Sequence, residues 1–155
     1  RVLRRGRVLT ATLRAVIDTA ALRHNLSRVR EFAPGCRVMA VIKANAYGHG
    51  IVAAARALAG ADAFAVARIE EAVALREAGC AGRIVLLEGV QDAGELEQAA
   101  RHELEPFVHL PGQIAMLEAR RGAHRFRAWL KIDSGMGRLG FRPDEVRTAA
   151  LRLAA

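Results

Sequence analysis

Only two of the chain's 24 basic residues are lysines, Lys43 and Lys131, and both sit where an amine could do chemistry. Lys43 directly follows the apolar run Val38–Ile42, and Lys131 lies near the end of another, Arg127–Ile132; a glycine-containing loop follows each. A guanidinium stays protonated, whereas an amine can lose its proton and act as base or as imine-forming nucleophile. An amine partly desolvated at a strand end gives up that proton more readily. The loop after Lys43 adds Asn45, Tyr47, Gly48, His49 and Gly50. A phenol such as Tyr47 can donate to a phosphate oxygen, and glycines let the backbone approach a ligand closely. A coding preference for arginine accounts for the scarcity of lysine but not for where the two lysines sit. From chemistry alone, a lysine snorkelling at the rim of a sheet is the competing explanation.

The elements that position these residues alternate along the chain. Continuous apolar runs predict strands at Val38–Ile42, Ala63–Val66, Ile84–Leu87, Glu105–Val108 and Arg127–Ile132, as for parallel strands buried on both faces. Helices fall between them. The first starts at Asp18 or Thr19 with Leu22, Leu26 and Val29 on one face, the next covers Gly50–Ala59, and a third covers Ile69–Ala78 and stops at Gly79. Asp92 followed by Glu95 gives a capping pattern, and Pro111 and Pro143 are placed to open two more helices. No Gly-x-Gly-x-x-Gly follows the first strand, which argues against a dinucleotide-binding sheet. The expected fold is α/β, a (β/α)8 TIM-type barrel that is incomplete here, with about five βα units where a full barrel takes about 250 residues. Residues 1–14 read as an N-terminal extension or strand, and 15–155 as the N-terminal portion of the barrel. Reactive groups in such barrels sit where strands end.

Composition narrows the functional classes. The chain has 155 residues, 52% of them apolar, enough for one core. No apolar run approaches the roughly 20 residues of a membrane span. Arg1–Arg7 is basic, but the apolar stretch Val8–Leu13 is short for a signal peptide and is cut by Arg14, so a cytoplasmic location is expected. The net charge of +8 is scattered, and with 5% aromatics it offers no stacking platform for nucleic acid. Cys36 and Cys80 have neither disulfide nor metal spacing and are expected to be buried or half-buried. His24, His102, His109 and His124 show no metal spacing and are expected at surfaces or helix ends, and His49 as a loop anchor. Glu70, Glu71 and the acidic residues from Asp92 to Glu97 read as solvated helix faces, Met136 as a packing residue, and Trp129 as core or barrel-facing.

The string Ala40-Val41-Ile42-Lys43-Ala44-Asn45-Ala46-Tyr47-Gly48-His49-Gly50 resembles the pyridoxal-phosphate attachment motif of the alanine racemase family. Lys131-Ile132-Asp133-Ser134-Gly135-Met136-Gly137-Arg138-Leu139-Gly140-Phe141 and Ile17-Asp18 through Arg23-His24-Asn25-Leu26 resemble further segments of it. The resemblance runs in order along essentially the whole chain, but covers only the first part of the family's length. It implies a fold-type III, pyridoxal 5'-phosphate-dependent isomerase that interconverts L- and D-alanine, supplies D-alanine for peptidoglycan and works as a homodimer. Lys43 matches the lysine that forms the Schiff base and serves as one base, and Tyr47 a tyrosine bonded to the cofactor phosphate. Arg138 matches the arginine near the cofactor's phenolic oxygen and the substrate carboxylate. Lys131 matches a lysine carboxylated in some members, whose carbamate holds that arginine. The family's second base is a tyrosine of a C-terminal domain, supplied by the partner subunit, and its pyridine-nitrogen arginine corresponds to a position beyond residue 155. Tyr47 is the one tyrosine of this chain. A broader amino-acid racemase, a non-catalytic cofactor-binding module and a plain structural α/β domain are the alternatives.

Overall fold

Among the described residues, five apolar segments form one parallel sheet whose spatial order is the order of the sequence. They are β1 (Met39–Val41), β2 (Ala63–Val66), β3 (Ile84–Leu86), β4 (Leu104–Val108) and β5 (Trp129–Leu130). The structure, a computed structural model, describes residues 15–120 and 124–155, so the extension expected over 1–14 lies outside the described residues. Among the described residues, six right-handed helices surround the sheet: α1 (Thr19–Phe32), α3 (Ile51–Ala57), α4 (Ile69–Glu77), α5 (Ala93–Arg101), α6 (Pro111–Ala119) and α7 (Val146–Ala154). Another segment, α2 (Lys43–Tyr47), winds the other way. Each strand pairs with the next and the order never reverses, which is the arrangement of a (β/α) barrel and not of a doubly wound sheet.

Alternation along the strands sorts the side chains between two faces. Phe64, Val66, Ile84, Leu86 and Leu104 pack with Ile69, Leu75 and Leu96 of the helices into the main core. The opposite face gathers Met39, Ala63, Ala65, Val85, Leu87, Phe107 and Trp129, all from strands or strand ends. Trp129 is therefore barrel-facing, one of the two placements expected for it.

That inner face also holds one acid. Glu105 of β4 is 6% exposed and accepts two 2.7 Å bonds from Arg83, one of 2.8 Å from Trp129 Nε1 and one of 3.3 Å from Arg127. Burial pushes its carboxyl up, but the bonds from Arg83 and Trp129 and the charges of Arg83 and Arg127 outweigh burial and hold it below the ordinary range.

Several boundaries differ from the sequence expectation. β5 is only two residues long, because Arg127 turns toward Glu105 and Ile132 leaves the ladder to pair with Phe141. α3 is shorter than Gly50–Ala59 at both ends, since Gly50 (φ 89) caps it in a non-helical conformation. Pro143 does not open α7; it lies in a turn, and the helix starts at Val146. Pro111 does open α6, Gly79 (φ 84) ends α4, and Asp92 caps α5 by accepting from Glu95 N at 2.8 Å. Val29 is 47% exposed and off the apolar face that Leu22 brings to the core. Cys36 is exposed, contrary to expectation, while Cys80 is half-buried against the core. No helix among the described residues is long and apolar enough to cross a membrane.

Glu105→Gln is expected to cost about 1–2 kcal/mol at neutral pH, because the buried carboxylate loses its charge-assisted bonds while Arg83 and Arg127 keep part of their hydration. The folded carboxyl titrates below its unfolded value, so this stability is present above the ordinary carboxyl range and lost as pH falls through the folded value. Urea midpoints of wild type and variant should therefore converge in acid; a gap independent of pH would contradict the linkage.

Candidate active site

Lys43 opens a turn of the wrong hand. Ala44, Asn45, Ala46 and Tyr47 have φ between 52 and 55°, a left-handed turn that costs L-residues roughly 1–2 kcal/mol each. Local and distant bonds hold it. Ala46 N donates to Ile42 O at 2.8 Å, Gly50 N to Asn45 O at 3.0 Å, and Ile51 N to Asn45 Oδ1 at 2.8 Å. His49 Nδ1 lies 2.8 Å from Ala46 O, making it the loop anchor its position suggests. Gly48 (φ 86) and Gly50 (φ 89) then return the chain to α3, a path that favours glycine.

The decisive support comes from α4. Glu71 accepts from Asn45 N at 3.0 Å through Oε1, and from Ala67 N at 3.0 Å and Arg68 N at 3.3 Å through Oε2. Of the two adjacent acids only Glu70 is the exposed one; Glu71 joins the loop after β2 to the turn after β1.

A similar device serves the next two loops. Gln113 is 3% exposed; its Oε1 accepts from His109 N at 2.8 Å and Leu110 N at 3.3 Å, while its Nε2 donates to Glu88 O and Val90 O at 3.3 Å. Gly89 (φ 67) allows this closeness, since a Cβ there would lie 2.3 Å from Phe107 O and 2.6 Å from Gln113 Nε2.

The loop carrying Arg138 is closed at its base. Phe141 N donates to Lys131 O and Asp133 N to Phe141 O, both at 2.9 Å. Gly140 (φ 122) packs there so tightly that a Cβ would come within 2.6 Å of Asp133 N. Inside the loop, Gly137 N and Gly135 N each donate to Asp133 Oδ1 at 3.0 Å and hold its carboxyl below the ordinary range. Met136 is 77% exposed, so it does not pack as expected.

These loops enclose a cavity of about 560 Å³ at the C-terminal ends of the strands. Lys43, Lys131 and Arg138 line it together with Ala67, Leu87, Glu88, Phe107 and His109. Among the described residues, none of the ion pairs involves Lys43, Lys131 or Arg138. Three cations against Glu88 make the cavity suited to an anionic guest that also presents an electrophile to an amine. Tyr47 is 60% exposed and does not line the cavity.

His109 departs most from expectation. It is neither at the surface nor metal-spaced but 5% exposed, and its Nδ1 is the one buried side-chain nitrogen or oxygen without a partner among the described residues. Burial, then the positive charge of Lys131, holds the imidazole below the ordinary histidine range, with Glu88 opposing. An unpartnered buried polar atom costs about 1–3 kcal/mol.

Fold and cavity together define the first units of a (β/α) barrel built around an amine at a strand end. The model of the alanine racemase N-terminal domain matches residues 17–155, and the chain belongs to that family. It is 52% identical over 139 residues to an alanine racemase of Nitrosococcus oceani, covering 90% of this chain and 39% of that protein. A biosynthetic alanine racemase of Salmonella typhimurium is 50% identical over 138 residues, covering 89% of this chain and 38% of that one. The crystal structure of biosynthetic alanine racemase from Pseudomonas aeruginosa superposes with a TM-score of 0.85 at 40% identity, over 90% of this chain and 39% of that chain. The chain thus spans about two fifths of the length of the relatives it matches.

Glu71→Ala leaves three backbone N–H groups without their acceptor, and a loss of about 1–3 kcal/mol in chemical denaturation is expected. Undiminished stability would mean that the left-handed turn stands without it. Gly140→Ala forces a Cβ into backbone and should abolish hydrogen-exchange protection at Asp133 and Phe141 while sparing β2 and β3.

Proposed function

We propose that this chain is the cofactor-holding part of a pyridoxal-phosphate-dependent alanine racemase, an isomerase that interconverts L- and D-alanine. The observation that carries this is Lys43 at a strand end, sharing one cavity with Lys131 and Arg138. The cofactor's chemistry fits that set: an aldehyde for the amine, and a phosphate and a phenolate for the cations.

When bound, pyridoxal phosphate supplies the electron sink that makes an amino acid's α-hydrogen acidic. The chain's own residues then have distinct roles. Lys43 Nζ is the attachment point and, once released, the base that takes or returns the α-proton on one face. Arg138 offers a planar fork to the substrate carboxylate. The family resemblance assigns Tyr47 to the phosphate, and its phenol, 60% exposed and outside the cavity, has to turn inward to donate to it. Lys131, carboxylated on Nζ, becomes an anion, so its repulsion of Arg138 turns into attraction and the guanidinium is held in place. Residues 15–155 make up the barrel portion, and the whole protein acts as a cytoplasmic homodimer supplying D-alanine for peptidoglycan.

Racemisation needs an acid/base group on each face of a planar carbanion. Lys43 is one, and Tyr47, the only tyrosine of the sequence, is assigned to the phosphate by the family resemblance. These 155 residues by themselves therefore bind the cofactor without racemising alanine.

Borohydride reduction after adding pyridoxal phosphate should leave a stable label on the Lys43 peptide, and Lys43→Ala should carry none. A label that persists in that variant or maps to Lys131 would overturn the assignment. Racemisation of L-alanine by these residues alone would refute the one-base argument.

A further inference from the structure

His109 and Lys131 are neighbours by sheet register. Phe107 pairs with Trp129 and Val108 with Leu130, and Lys131 N donates to Val108 O at 2.9 Å, so the next step along both strands sets His109 beside Lys131. Phe107 and Trp129 face the barrel interior, whereas Val108 and Leu130 join the cluster under α6 and α7. By alternation, His109 and Lys131 return to the inner face, on strands about 4.8 Å apart. Both line the cavity.

We propose that His109 is the proton acceptor for carboxylation of Lys131, taking the proton released as that amine captures carbon dioxide and then pairing with the carbamate. This rests on the carboxylated Lys131 of the proposed function. The neutral Nζ attacks the carbon of carbon dioxide, a C–N bond forms, and one C=O π pair moves onto oxygen. One N–H bond breaks, and its proton passes to the lone pair of His109 Nδ1. Neutral amine, neutral imidazole and carbon dioxide give a carbamate anion beside an imidazolium, so charge balances within the pair.

Three observations support the role. Nδ1 is buried without a partner, so it has unused capacity for a hydrogen bond. Gln113 fixes the His109 backbone through its N–H, so the ring is carried on a rigid strand end. Burial, then the charge of an ammonium at Lys131, keeps the imidazole neutral; beside a carbamate the second of these turns from repulsion into attraction, which favours the imidazolium. The other charged groups around the cavity serve less well. Glu88 is a carboxylate and a weaker base, Lys43 follows β1, which three strands separate from β5, and the Arg138 guanidinium has no proton-accepting lone pair.

The test is 13C NMR of the intact protein without cofactor, equilibrated with 13C-bicarbonate, alongside 15N spectra of its histidine rings. Wild type should show a carbamate carbon that disappears in Lys131→Arg, and His109→Leu should lose it while wild-type secondary structure persists by circular dichroism. His109→Gln, which keeps hydrogen bonding but takes no proton, should retain little of it. In wild type, bicarbonate should shift the His109 ring nitrogens from neutral to protonated positions, a readout independent of whether any variant folds. An undiminished carbamate in both His109 variants, or ring nitrogens that stay neutral when Lys131 is carboxylated, would overturn the role of His109 and leave Lys131 carboxylation standing. Absence of any carbamate in wild type would overturn both.

Discussion

Three backbone N–H groups converge on the Glu71 carboxylate, and the place of Lys43 depends on them. A run of four left-handed L-residues has no intrinsic reason to persist. It persists because Glu71 binds the turn at Asn45 while Ala46 is buried in the main core. Remove the acceptor and only the local bonds and the burial of Ala46 oppose the strain, so Lys43 is held less firmly opposite Lys131 and Arg138. Gln113 plays the same part for the wall carrying His109, with four bonds across two loops.

Much of this was legible in the residues. The continuous apolar runs placed all five strands, and the strand-end lysines met across one cavity, because parallel sheets bury both faces and barrels gather strand ends. Glu71 and Gln113 were missed for a definite reason. Each is the third residue of its helix, where Glu and Gln reach back to the preceding backbone, but Arg68 and Leu110 stand where the capping pattern has Ser or Thr. Glu105 was hidden because an acid inside a strand is legible only with Arg83 and Trp129 beside it. His109 was misjudged because spacing rules detect metal sites, not a lone imidazole under a neighbouring strand. The winding of α2 lay outside any propensity argument, since alanine does not signal a left-handed turn.

The two ends of the inner face are built on different terms. Toward the N-terminal ends, Glu105 is bonded by Arg83, Arg127 and Trp129, and its carboxylate is paired through both oxygens. Phe107 and Trp129, with ring centroids 6.1 Å apart, separate it from the cavity above. There, three cations meet one carboxylate and a buried nitrogen lacks its bond. Satisfied polarity below and unsatisfied polarity above mark one end as scaffold and the other as the place for a guest.

The reach of these tie bonds also bears on how the chain acquires its shape. Asn45 and Glu71 are 26 residues apart, Val90 and Gln113 are 23, and Arg83 and Glu105 are 22. Each bond closes a loop of about one strand–helix unit, and closure entropy grows only slowly at such lengths. Every unit can dock on the one before it as soon as it leaves the ribosome, without waiting for distant sequence. The bond that steadies the turn after Lys43 thus belongs to a series of short-range ties that favours assembly unit by unit.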